Sequence, residues 1–184
     1  TPATVAAALD AGADMIGFVF HTKSPRFLAP AVAADLAVQA AGRAQTVALV
    51  ADAGDDAIDA VIEAFHPDWL HLHGRETPER CRALAARSGC RILKAIGVAA
   101  RDDLAAIGAY DGVADRILLD AKPPRDAAYP GGHGQPFDWS ILAALDPHRT
   151  FMLSGGLTPE TAEKAVTHVL SFGIALAGLD VSSG

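Results

Sequence analysis

Short apolar runs alternate along this chain with longer, alanine-rich stretches whose apolar positions recur every three or four residues. That is the pattern of strands separated by helices. Thr1-Pro2 opens the first helix, Thr as N-cap and Pro at the first helical position. Val5, Ala8 and Leu9 give it an apolar face, and Gly12 stops it. The pattern then predicts strands over Met15–Phe20, Thr46–Val50, Trp69–Leu72, Arg91–Ile96, Ile117–Leu119, Thr150–Leu153 and Gly178–Val181. Helices are predicted over Ala31–Ala41, Asp55–Phe65, Pro78–Ser88, Arg101–Tyr110, Trp139–Leu145 and Pro159 to about Leu170. One device recurs: A-D-M-I from Ala13, P-D-W-L from Pro67 and A-D-R-I from Ala114 each set an Asp between a helix end and a strand start.

Such helix–strand units build parallel α/β sheets. Seven strands are identifiable, and the pattern opens on a helix and closes on a strand. A closed (β/α)8 TIM barrel would need one more strand before Thr1 and one more helix after Gly184. An open doubly wound sheet would need neither. The polar residues favour the barrel. Lys23 to Arg26, His73, Asp120, Ser154 to Gly156 and Asp180 to Gly184 all fall just past the C-terminal ends of strands, where barrel active sites are assembled. No linker, charge run or low-complexity tract divides residues 1–184, so a single barrel-type domain is expected, without its first strand and last helix.

Composition narrows the function. Apolar residues make up 51% and charged residues 20% of the 184, as in ordinary globular proteins. A net charge of -7 with no basic stripe argues against a nucleic-acid partner. No apolar run is long enough for a membrane span, and the first residues do not form a signal peptide. Cys81 and Cys90 form no CxxC, which points to a reducing, cytoplasmic setting.

The chemistry gathers between Asp115 and Trp139. Ile117, Leu118 and Leu119 read as a strand buried on both faces, and Asp120 ends that run. A carboxylate there is costly unless paired, hydrogen-bonded or protonated. A proline-rich loop follows, leading to Gly131-Gly132-His133-Gly134, where backbone N–H groups can approach a ligand closely.

Six motifs in order carry a family resemblance. They are G-F-V-F-x-x-K-S-P-R at Gly17 to Arg26, L-H-G at Leu72 to Gly74, and K-A-I at Lys94 to Ile96. L-L-D-A-K with G-G-x-G-x-x-F-D-W follows at Leu118 to Trp139, then L-S-G-G-L-T-P-E at Leu153 to Glu160 and D-V-S-S-G at Asp180 to Gly184. Together they resemble the phosphoribosylanthranilate isomerase family, (β/α)8 enzymes of tryptophan biosynthesis.

The resemblance implies a cofactor-free Amadori rearrangement. N-(5′-phosphoribosyl)anthranilate becomes 1-(2-carboxyphenylamino)-1-deoxyribulose 5-phosphate, so the partner is a small anionic molecule carrying a carboxylate and a phosphate. An acid opens the furanose ring and a base takes the C2 proton, so two groups of opposite protonation state are needed. Asp120 is the implied general acid; the plainer reading is a carboxylate paired with Lys94 or Lys122, or capping a turn. Arg26 suits the anthranilate carboxylate, because a guanidinium grips a carboxylate bidentately; otherwise it is a solvated loop cation. Ser154, Gly155 and Gly156 lead into a capped helix start, and Asp180, Ser182, Ser183 and Gly184 would lead into another, a setting suited to phosphate. Gly132 and Gly134 add backbone donors; the alternative for S-G-G is a tight turn. His71 and His73 share one strand face. His73 is either a site-lining group or a core histidine, and no third ligand of obvious spacing makes the pair a metal site.

The family's general base is a cysteine in an N-terminal K-I-C-G strand, and that segment is not among these residues. Neither Cys81, inside a helix, nor Cys90, just before a strand, can replace it. The alternative function is therefore a non-catalytic phosphate-ligand-binding barrel. Indoleglycerol-phosphate synthase, a barrel with similar phosphate logic, would require a catalytic lysine set that is not found.

Overall fold

The computed structural model describes residues 1–122 and 136–182. The chain groups into two compact units, Thr1–Ile92 and Leu93–Gly184.

In the first unit, β1 (Met15–Val19), β2 (Gln45–Val50) and β3 (Trp69–Leu72) run parallel, with Gly17 opposite Val47 and Val47 opposite Trp69. Parallel neighbours need a crossover between them, and helices supply it. The helix α1 (Pro2–Asp10) precedes β1, and α2 (Pro30–Ala37) and α3 (Asp55–Phe65) make the two crossovers. After β3 comes α4 (Pro78–Ser88), with the Thr77 hydroxyl accepting from the Arg80 N–H and Gly89 ending it at φ 68. The helix expected to run to Ala41 is α-helical only to Ala37; Val38–Ala40 tightens into a 3-10 turn ahead of Gly42, which takes φ 70. Phe18, Phe20 and Phe65 form the aromatic heart of this unit, with ring centroids 4.9 and 5.3 Å from Phe65.

The recurrent Asp has a visible task. Asp68, the acid of P-D-W-L, accepts from both the N–H (2.7 Å) and the hydroxyl (3.0 Å) of Thr46, locking the start of β2 to the start of β3. Beside it the Trp69 indole donates to Gln45 at 2.8 Å and lies under the Arg91 guanidinium at 4.2 Å.

In the second unit, β4 (Arg91–Val98, from Leu93 onward), β5 (Arg116–Ala121), β6 (Thr150–Leu153) and β7 (Ala175–Leu179) are again parallel. Ile96, Val98, Leu119 and Leu153 pack against Ile107, Leu142 and Val169, the last of these from α5 (Pro159–Leu170). Three expectations are corrected here. Asp120 does not end its strand: β5 continues to Ala121, with Asp120 opposite Gly97 and Ala121 opposite Val98. The last strand is Ala175–Leu179 rather than Gly178–Val181. Pairing with Thr150 and Phe151 recruits Ala175 and Leu176, and a bulge then sets Gly178 opposite Met152. The segments Arg101–Tyr110 and Trp139–Ala144 are 3-10 rather than α-helical.

Asp103 helps to explain the first of those 3-10 segments. Its carboxylate accepts from the N–H groups of Ala99 and Ala100, both at 2.9 Å, and from Lys122 Nζ at 2.7 Å. These bonds, the Lys122 bond foremost, hold its carboxyl down from 3.8 to about 2. A depressed folded-state value means stability that is present above about pH 4 and lost as pH falls through about 2. After allowance for solvent screening, about 1 kcal/mol should disappear across that window. Urea unfolding at pH 5, 4 and 3 should show the decline, and Asp103→Asn should flatten it. Among the described residues no helix is long and apolar enough to cross a membrane.

Candidate active site

Hydrophobic pairing within each unit brings the C-terminal ends of its strands together, and the polar residues singled out by the sequence sit there. In the second unit Asp120 is 5% exposed on β5, and its Oδ1 accepts the N–H of Ala121 at 2.8 Å. Lys122, one of the two lysines offered as its ion-pair partner, is bonded to Asp103 instead. Lys94 is buried, with its ammonium 5.8 Å from the Tyr110 ring centroid. The local bond to Ala121 does match part of the plainer reading, a carboxylate satisfied by its own turn.

Gly155 lies against this acid. Its φ is +88, and a Cβ there would stand 2.6 Å from the Ala121 nitrogen and 3.0 Å from Asp120 Oδ1. Only glycine allows the loop after β6 to pass this close. Its neighbour Ser154 is 7% exposed and uses both of its donors inside the protein. The Ser154 N–H goes to the Leu119 carbonyl at 2.8 Å and the hydroxyl to Asp180 Oδ2 at 3.0 Å. Asp180 in turn donates its N–H to Leu153 at 2.9 Å. Asp120, Ser154, Gly155 and Asp180 therefore share one rim of the second unit. Gly156, at φ 64, completes the turn before α5, where Thr158 donates its N–H to the Thr161 hydroxyl at 2.8 Å. Ser182 is exposed just beyond Asp180. Gly132, Gly134, Ser183 and Gly184 lie outside the described residues. A cavity of about 140 Å³ in this unit opens at the other end of the strands, beside Arg116 and Thr150, and shares no residue with this rim.

In the first unit, Arg26 sits in a turn folded back on β1. Ser24 accepts the Arg26 N–H at 3.2 Å, and Leu28 donates to the Val19 carbonyl at 2.9 Å. The Arg26 side chain is half-buried, and its guanidinium pairs with no carboxylate among the described residues. His73, also half-buried, follows β3; its N–H reaches the Val50 carbonyl at 2.9 Å and its ring stands edge-on to that of His71, centroids 4.8 Å apart. Sequence reasoning passed over Glu76, a buried carboxylate in the loop after β3 that holds the N–H groups of Asp52 and Gly74. An acid directly after H-G-R was its only signal.

The two cysteines are placed as expected. Cys81 is buried in α4, its thiol 3.9 Å from the Glu76 carbonyl. Cys90 lies before β4, its thiol on the Pro67 carbonyl at 3.2 Å, with burial pushing its pKa up. Neither is at the C-terminal end of a strand.

The family model for N-(5′-phosphoribosyl)anthranilate isomerase matches residues 1–184. A curated N-(5′-phosphoribosyl)anthranilate isomerase of Brucella canis is 48% identical over 184 residues, which is all of this chain and 81% of the relative. Among solved structures, phosphoribosyl anthranilate isomerase from Thermotoga maritima is 32% identical, with a TM-score of 0.80 over 97% of this chain and 82% of that one. Another, in complex with reduced 1-(o-carboxyphenylamino)-1-deoxyribulose 5-phosphate, is 30% identical, with a TM-score of 0.79 over all of this chain and 83% of that one. The expected (β/α)8-type fold is thereby borne out over the open doubly wound sheet, and the isomerase over the non-catalytic binder. With the family model spanning residues 1–184 and a curated relative 48% identical over that same length, the chain belongs to the N-(5′-phosphoribosyl)anthranilate isomerase family.

Proposed function

We infer that the protein converts N-(5′-phosphoribosyl)anthranilate to 1-(2-carboxyphenylamino)-1-deoxyribulose 5-phosphate in tryptophan biosynthesis. The observation that carries this reading furthest is the buried Asp120 carboxyl, held one residue before the end of β5 against the side-chain-free Gly155. In the proposed sequence Asp120 gives its proton to the furanose ring oxygen. The C1–O bond breaks as the anilino nitrogen lone pair forms a C1 iminium. Removal of the C2 proton returns electrons to nitrogen as an enolamine. C1 then gains a proton as the C2 hydroxyl loses its own, giving the ketone at C2, so substrate and product are isomers and no cofactor enters. The C2 base is a group other than Cys81 and Cys90.

The substrate's ends are assigned by charge. Arg26 takes the anthranilate carboxylate in a bidentate pair. The N–H groups of Gly155 and Gly156 lead into α5 and suit the phosphate, joined by Gly132, Gly134, Ser182, Ser183 and Gly184. Ser154 serves the same site by holding Asp180, and His73 contributes from the end of β3. A single barrel-type domain and a cytoplasmic location go with this reading; the free thiols of Cys81 and Cys90 fit a reducing compartment.

The test is direct. Proton NMR of the purified protein with the aminoaldose should show the anomeric proton replaced by the methylene pair of the aminoketose. Binding without conversion would overturn the enzyme reading. Arg26→Lys should keep the charge but lose the fork, raising KM roughly 10- to 100-fold with kcat little changed, since a charge-assisted pair contributes about 1.5–3 kcal/mol.

A further inference from the structure

The loops after β2 and β3 are fastened by two carboxylates, each gripping the other's loop. Glu76, 6% exposed, accepts the N–H of Asp52 at 2.8 Å through Oε1 and the N–H of Gly74 at 3.0 Å through Oε2. Asp52 reciprocates, its Oδ1 accepting the N–H of Arg75 at 2.7 Å. The backbone of Asp52 is left-handed, at φ 49, a conformation a non-glycine residue adopts only when its surroundings hold it there. Gly74 has no room for a side chain: a Cβ would stand 2.5 Å from the Asp52 nitrogen. Three separately unfavourable features therefore meet in one place: a buried carboxylate, a strained backbone and a contact only glycine permits. A surface turn with no function has no need of them.

Directly before Gly74 in the chain stands His73. Its own N–H is held by Val50, and the next residue's N–H is held by Glu76. The backbone that carries the imidazole is therefore held on both sides, and the ring meets the His71 ring edge-on. We propose that Glu76, with Asp52 as its counterpart, is a positioning residue that sets the His73 imidazole for the substrate. This rests on the isomerase reading and on His73 lining the site. Glu76→Gln exchanges one acceptor oxygen for an NH2 group facing a backbone N–H, so one loop is released while size is kept. Glu76→Asp keeps the charge but shortens the reach.

The test is a double-mutant cycle on kcat/KM with His73→Ala. Misplacement on the scale of an ångström can cost about 100-fold, so Glu76→Gln alone should lower kcat/KM by roughly 10- to 100-fold. In the His73→Ala background the same change should have little further effect. Additive losses, or an unchanged kcat/KM in a folded Glu76→Gln, would overturn the proposal. If Glu76→Gln does not fold, the same cycle with Glu76→Asp decides the matter. The His73 ring signals in NMR should shift or broaden in either variant, and unmoved signals would also overturn it. Absence of turnover in the unmodified protein would instead count against the isomerase reading, while the ring signals still report on the positioning.

Discussion

Asp120→Asn should lower kcat by about 10² to 10⁴, the usual contribution of a positioned general acid, with the affinity for a phosphate- and carboxylate-bearing ligand within a few-fold of normal. The substitution is nearly isosteric, and the bond from the Ala121 N–H to Oδ1 can be kept by the amide oxygen. What is lost is the proton delivered to the ring oxygen. A substrate already opened to the imine would bypass that step, so the variant should handle a ring-opened analogue at close to the normal rate. Steady-state kinetics with both substrates would decide the matter. Equal rates for the variant and the unmodified protein on the closed sugar would remove Asp120 from the mechanism.

The second large effect is expected at Gly155. An added methyl would meet the Ala121 nitrogen at 2.6 Å and Asp120 Oδ1 at 3.0 Å, on a backbone at φ +88 that L-residues resist. Strain and overcrowding each cost about 1–3 kcal/mol, so Gly155→Ala should lose roughly 2–6 kcal/mol of stability and displace the acid as well. Urea unfolding should show a lower midpoint with an unchanged slope. In the folded fraction, kcat should fall more than ligand affinity, because the collision is with the acid. A Gly155→Ala protein of normal stability and activity would mean that the loop after β6 does not approach β5 as described. Gly178, by contrast, would place a Cβ 3.4 Å from the flexible end of Met152, which can yield.

Much of the fold was legible because its signals are local. Thr77 starts and Gly89 ends α4 through bonds within one turn of the helix. The apolar runs of β2, β3 and β6 mark strands from their own composition. The resemblance was legible too, since six motifs fix residue types at given positions. The 3-10 segments were not, because a helix period alone does not reveal that Asp103 holds the two preceding N–H groups together with Lys122. Nor was the start of β7, where Ala175 and Leu176 become strand only by pairing with Thr150 and Phe151 ahead of a bulge.

The same division runs through the site. Sequence by itself determined which chemical groups are present and which strand end each follows: Arg26 after β1, His73 after β3, Asp120 on β5, and the glycines after β6. Only the tertiary structure decided what those groups touch. Ser154 read as an anion donor, yet its hydroxyl goes to Asp180, 26 residues away. Glu76 drew no notice in the sequence, yet it holds Asp52, 24 residues away. The reason is physical. A cap or an apolar period acts over a few residues of one segment, whereas a buried carboxylate or hydroxyl is satisfied by the donor or acceptor that parallel strand pairing brings alongside it. Strand register selects that partner, and register is a property of the folded sheet.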